Sequence, residues 1–238
     1  MPTAASILSE LKKKGTAQNR KIYARHGMAA DRLYGVSMAD LKVIAKSIKG
    51  QQNLACDLYE SEIMEAMYLA GMVADGAQLS AEKLHNWAKQ AAGMQMISEY
   101  TIPWLAADHP RARELALEWI ASKEPHIAAS GWCTYAGLLS VRPDDELDLR
   151  EVDALMERVL TEIGSAPNRV KYTMNLFVIC AGGYVKPLLK RARQVAKQLG
   201  QVKVDTGDTE CKVPNASAYI EKMEKAGRIG KKRKTLRC

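Results

Sequence analysis

Apolar residues recur at helical spacing along most of this chain, in segments of about 11 to 18 residues separated by short polar or Gly/Pro breaks. Residues 3–14 and 17–26 read as two opening helices, broken at Gly15 and closing near Gly27. Ser37 stands where a helix N-cap belongs, with Asp40 three residues on and Leu41, Val43, Ile44 and Ile48 following; that helix is expected to stop at Gly50. The same pattern predicts helices over 53–59, 61–75, 81–91, 95–107, 110–121 and 125–140, then 149–163, 168–181 and 185–199. Pro187 falls in the first turn of the last of these, where its missing amide does little harm, and Gly182-Gly183 reads as a helix stop. Residues 201–213 lose the period and hold a Thr-Gly-Asp turn, so they form a loop or at most a small ribbon. Pro214 then opens a final helix to about Ala226. The last stretch, GRIGKKRKTLRC, is too charged and too punctuated by glycine to fold alone, and is expected either to dock or to stay mobile.

Ten or more helices with no convincing strand predict an all-α fold, and short connections make successive helices antiparallel neighbours. Helix pairs stacked as a solenoid are the natural architecture, because each pair buries its apolar face only against the next. The expected organisation is one helical-repeat domain over 1–227 and a basic tail over 228–238. Composition agrees: 47% apolar and 26% charged residues suffice for a core, and a single Phe beside abundant Ala, Leu and Met leans to helix rather than sheet.

Apolar stretches such as Leu176 to Gly183 fall far short of the roughly 20 residues that span a bilayer, so no membrane association is expected. Met1 to Lys14 lacks a signal-type apolar block, which predicts a cytoplasmic protein, nucleoid-associated if bacterial. The cysteines at 56, 133, 180, 211 and 238 contain no CxxC pair, which fits reduced thiols; Cys133 and Cys180 lie in apolar helical patterns and are expected to pack.

Charge changes the picture more. Residues 1–162 hold 22 acids against 18 bases, a local charge of −4, so the overall +8 conceals +12 in the C-terminal third. Residues 163–204 carry eight Lys or Arg and no acid, and 228–238 carry six bases and no acid. In the predicted helix at 185–199, Leu188, Leu189, Ala192, Val195, Ala196 and Leu199 share one side. Lys186, Lys190, Arg193 and Lys197 recur on the other, a cationic row about 16 Å long. Such a row suits the phosphates of a nucleic-acid strand, although charge runs are also ordinary solvated faces. Arg169 and Lys171 on the adjacent helix and Lys231, Lys232, Arg233 and Lys234 in the tail extend the DNA-binding set, with Arg228 and Arg237 nearby. KKRK also reads as a localisation signal or a solubility tail.

Backbone contacts position a protein without selecting a base. Of the four Trp residues, at 87, 104, 119 and 132, Trp87 and Trp132 are the candidates for stacking on a base or lesion, since each sits among polar or small neighbours; helical spacing equally makes them core. His26, His85, His109 and His126 are widely separated and show no ligand spacing, so no metal and no cofactor is expected. GxSxG, Walker and GxGxxG motifs are absent.

Three passages carry a family resemblance: YGVSMADLKVIAKSIKG, NRVKYTMNLFVICAGG, and VDTGDTECKVPNASAYIEKMEKAGRIGKKRKTLRC. They resemble the DNA alkylation repair family built from HEAT-like helical repeats. The resemblance implies a right-handed α-solenoid of antiparallel HEAT-like helix pairs whose concave face is basic. Its best-known branch implies a DNA glycosylase that excises N3- or N7-alkylated purines using a carboxylate, two Trp residues and an Arg, the carboxylate stabilising the oxocarbenium-like sugar. This chain departs from that set. Met94 and Ser98 stand where a Trp and an Asp belong, Ala128 or Ala129 where an Arg belongs, and Leu176 or Phe177 where the second Trp belongs. Glu99 is the remaining candidate catalytic carboxylate, rotated about 100° from the expected position. Other branches resemble binders of unusual DNA structures. The expected partner is therefore duplex DNA, alkylated or branched, bound by a monomer, with a non-catalytic helical scaffold as the alternative.

Overall fold

Thr3, Thr16, Ser37, Ser80, Asp148 and Asn215 each turn a side-chain oxygen onto an amide two or three residues on, and a helix starts after every one of them. The computed structural model describes residues 2–26 and 28–237, and among these every regular element is helical. The close of the second predicted helix at Gly27 lies outside the described residues. The chain divides into two compact units.

The first unit comprises residues up to 111, with 206–210 and 237. It contains α1 (Ala4–Lys14), α2 (Ala17–Arg25), α3 (Met38–Ser47), α4 (Gln52–Tyr59), α5 (Met64–Val73), α6 (Ala81–Gln90) and α7 (Ile102–Asp108). Helix α5 is apolar nearly all round and is buried against α1, α3, α4 and α7. Its one charged residue, Glu65, is fully buried and accepts from the amides of Tyr34 (3.0 Å), Gly35 (2.5 Å) and Val36 (3.1 Å). That loop turns at Gly35 with φ +84°, a conformation glycine tolerates, and the carboxylate satisfies the amides the turn exposes. At the other end of α5, Arg237 donates to the carbonyls of Gly71 (3.1 Å) and Ala74 (2.9 Å) and to Asp108 (2.5 Å), placing a cation at the negative end of the helix.

The helix expected over 95–107 contains a π-turn at Ile97–Thr101, closed by the Ile102 amide on the Ile97 carbonyl. Pro103 explains it. Proline has no amide for the carbonyl of Glu99 four residues back and its ring would crowd that carbonyl, so the chain widens by one residue there.

The second unit comprises 112–205 and 211–236 among the described residues. It contains α8 (Ala112–Ile120), α9 (Pro125–Val141), α10 (Leu149–Glu162), α11 (Asn168–Tyr184), α12 (Leu189–Leu199) and α13 (Ala216–Lys225). Helices α9 and α11 pack on each other and form its centre, with α8 against α9 and with α12 and α13 against α11. Trp132, Tyr135, Phe177 and Val178 fill the seam. Gly131 permits the closest approach: a Cβ there would come within 2.5 Å of the Ile120 amide nitrogen on α8. The Tyr135 hydroxyl donates to Glu151 (2.5 Å), which also receives both arms of Arg113 at 2.8 and 2.6 Å, tying α8, α9 and α10 together.

Several boundaries differ from the sequence reading: the helix expected over 61–75 spans Met64–Val73, that over 110–121 spans Ala112–Ile120, and that over 185–199 is a 3-10 turn, Lys186–Leu188, followed by α12 (Leu189–Leu199). Gly182-Gly183 does not stop α11, which continues to Tyr184; the missing side chains instead make room for Ile220 and Met223 of α13. The last helix begins at Ala216 behind an Asn215 cap, two residues after Pro214. Residues 201–213 form an irregular loop. Its ends are held by Asn168, whose amide exchanges two hydrogen bonds with the Asp205 backbone, and by Asn175, which donates to the Pro214 carbonyl at 2.8 Å.

Candidate nucleic-acid interface

The cationic row of α12 is built by amphipathic alternation. Ala192, Val195 and Ala196 are buried in the second unit, and the opposite side leaves Lys190, Arg193 and Lys197 exposed. Lys186, in the 3-10 turn Lys186–Leu188 just before the helix, is exposed too. Lys186, Lys190 and Lys197 make no ion pair among the described residues. Arg193 does: it is paired with Glu224 of α13. Arg191, one residue off the row, is half-buried and bonded to Asp153 (2.6 Å) and to Glu157, so it fastens α12 to α10.

Arg169 and Lys171 lie in the first turn of α11, which has no side-chain cap. The Arg169 guanidinium lies 4.4 Å from the ring centre of Tyr172.

The tail docks on the second unit. The Gly230 amide donates to Gly183 (2.9 Å), the Arg233 amide to Ser140 (2.8 Å), and Leu236 covers Gly137. Lys232 is consumed in this docking, bonded to the Leu139 carbonyl at the end of α9 (2.9 Å) and to Asp144 (2.7 Å). Lys231, Arg233 and Lys234 remain exposed. Around Tyr184, burial raises the hydroxyl pKa, the neighbouring Cys180 and Tyr219 add to it, and the charges of Arg233 and Arg228 oppose it. Burial likewise pushes the Cys180 thiol up to about 12 against the pull of Arg233.

All ten predicted phosphate-binding cations belong to the second unit. Glu99 and Trp87 belong to the first, and neither Trp stands out at the surface. Trp87 is 1% exposed, its ring stacked on Tyr59 at 3.9 Å with the indole nitrogen donating to Glu60 (2.9 Å). Trp132 is equally buried, edge-on to Phe177 at 5.2 Å. Their polar and small sequence neighbours belong to the helix flanks, while the rings themselves take the apolar side. Stacking on a base would need either ring to leave its packing. Glu99 is 7% exposed within the π-turn. The acid Glu224 and the exposed Tyr219 were not singled out in the sequence, because nothing in α13 alone shows which helix its side chains meet. Among the described residues, no three His, Cys, Asp or Glu side chains are grouped to hold a metal ion, and no helix is long and apolar enough to cross a membrane.

Residues 7–195 match the family described as DNA alkylation repair enzyme. The uncharacterized protein Lin0241 of Listeria innocua is 31% identical over 227 residues, covering 93% of this chain and 97% of the relative. Lmo0209 of Listeria monocytogenes, also uncharacterized, is 30% identical with the same coverage. A solved structure described as belonging to a new family of proteins related to the HEAT-like repeat DNA glycosylases, with affinity for branched DNA structures, superposes with a TM-score of 0.90 at 32% identity, all of each chain being covered. The all-α arrangement of helix pairs is thus of the HEAT-like kind, and the chain belongs to the DNA alkylation repair family.

Proposed function

We propose that this protein binds branched duplex DNA through the basic surface of its second unit, with Lys186, Lys190 and Lys197 as its principal phosphate contacts and Arg169, Lys171, Lys231, Arg233 and Lys234 extending it. The observation that carries the reading is the row of exposed cations along α12 and the turn before it, three of whose four members make no ion pair among the described residues. A solvated surface helix normally mixes signs, whereas residues 163–204 contain no acid at all. The affinity for branched DNA described for the structural relative supports this ligand class. Binding of a labelled four-way junction and of a linear duplex, followed by fluorescence anisotropy, tests it. The junction is expected to bind more tightly than the duplex, and absence of binding to both would favour a non-catalytic protein scaffold.

A second reading, excision of alkylated purines, has one specific support: the nearly buried carboxylate Glu99 sits on a π-turn, a feature concentrated at functional sites. It lacks the Trp and Arg partners the chemistry uses elsewhere in the family. Release of free 3-methyladenine or 7-methylguanine from alkylated duplex, abolished by Glu99→Gln, would establish it. Release unchanged by that substitution would remove Glu99 from the mechanism.

A further inference from the structure

The twin glycines at the end of α11 gather two tyrosines and the arginines of the tail into one patch of the second unit. A Cβ on Gly182 would meet Ile220 Cδ1 at 2.6 Å, and one on Gly183 would meet Met223 Sδ at 2.5 Å, so α13 lies directly on this end of α11. Tyr184 follows Gly183, and Tyr219 immediately precedes Ile220. The hydrogen bond from Gly230 to Gly183 lays the tail beside them, and Gly230 rests against the Lys186 stem, where a Cβ would come within 3.2 Å. The patch is therefore continuous with the Lys186 end of the α12 row.

Two properties of the patch separate it from a plain phosphate-binding surface. Tyr219 is 46% exposed, a large ring left in water, and it, Arg228 and Arg233 all lie near enough to Tyr184 to act on its hydroxyl. The nearby acids of α13 are already engaged, Glu221 with Lys225 and Glu224 with Arg193, while Lys186, Arg228 and Arg233 have no ion-pair partner among the described residues. Cations alone suffice to hold phosphates; an exposed aromatic ring among them adds a π-face on which a base stacks. An intact duplex offers phosphates and base edges only, because its base faces are covered by neighbouring pairs. A branch point in its open form interrupts that stacking and exposes a base face beside closely spaced phosphates.

We propose that Tyr219 is a stacking platform for a base exposed at a DNA branch point, with Lys186, Arg228 and Arg233 holding the phosphates on either side of it. The proposal rests on the branched-DNA reading above and names the residue that makes the branch preferred over the linear duplex.

The test compares the full chain with Tyr219→Ala and Tyr219→Phe on a four-way junction and on a linear duplex of the same sequence, at one salt concentration. Tyr219→Ala is expected to weaken junction binding by roughly tenfold, within the range of base–aromatic stacking, and to leave duplex binding within about twofold. Tyr219→Phe should keep the wild-type ratio. A 2-aminopurine placed at the branch point should change fluorescence with the wild type and Tyr219→Phe but not with Tyr219→Ala. An unchanged junction-to-duplex ratio in Tyr219→Ala, or an equal loss on both substrates, overturns the role of Tyr219 while leaving the branched-DNA reading standing. Failure of the wild type to bind the junction overturns both. Because the ring is exposed, the melting curve of Tyr219→Ala should match the wild type, which separates a lost contact from a lost fold.

Discussion

Arg193, the third cation of the α12 row, is ion-paired with Glu224 of α13, so the row that the sequence spaces evenly is electrically interrupted. Both side chains are about half exposed, and such pairs contribute only about 0–1 kcal/mol to stability. Its consequence lies in binding. Lys186→Gln or Lys190→Gln should weaken DNA binding and lower the salt slope of log K by about one, whereas Arg193→Gln should do less. Glu224→Gln should strengthen binding and steepen the slope. Anisotropy titrations over a salt series measure all four.

Helix α9 lies so close to α8 that Gly131 faces backbone, with the Ile120 nitrogen, the Ala116 oxygen and the Trp119 carbonyl carbon all within 2.8 Å of where a Cβ would sit. Backbone cannot step aside as a side chain can. Gly131→Ala should cost about 1–3 kcal/mol in urea unfolding. Gly182→Ala, opposed mainly by the flexible end of Ile220, should cost less.

Glu65→Ala would strand the buried amides of Tyr34, Gly35 and Val36. A loss of about 3 kcal/mol or more is expected in chemical denaturation, since each unmet buried donor costs about 1–3 kcal/mol. Glu65→Gln should be milder but still destabilising, because it exchanges one accepting oxygen for an NH2 that faces other donors.

Alkaline stability should follow the buried tyrosines. Tyr59 is raised well above its ordinary pKa of 10.0 by burial, and Tyr135 is raised by burial and then by the Glu151 carboxylate that accepts its hydrogen bond. Both favour the neutral phenol in the folded state, so their contribution is present in full below pH 10 and is lost as pH rises above it, where the unfolded chain ionises first. Absorbance at 295 nm should show tyrosines that fail to titrate near pH 10 and ionise abruptly on unfolding. Tyr135→Phe should flatten part of that loss.

Helix positions were legible because periodicity and capping are local: Ser37 caps α3 as its spacing from Asp40 implies, and α9 and α10 fall within a residue of expectation. Gly182-Gly183 misled because a glycine pair that ends a helix and one that admits a neighbouring helix look alike until Ile220 and Met223 are placed. The π-turn at Ile97–Thr101 was foreshadowed only by Pro103. The cations of α12 were legible as a row, but the pairing of Arg193 with Glu224 and of Lys232 with Asp144 joins residues 31 and 88 positions apart, beyond the reach of any local pattern. Trp87 and Trp132 were ambiguous for the same reason: Tyr59 and Phe177, which cover them, come from other helices.

The most direct measurement is the affinity of the full chain for a four-way junction between about 50 and 200 mM salt, for the wild type and for the triple variant Lys186→Glu, Lys190→Glu, Lys197→Glu. A steep fall of wild-type affinity with salt, and loss of binding in a triple variant that still melts cooperatively, is the result predicted here. Salt-insensitive binding, or a triple variant that binds the junction like the wild type, would contradict it.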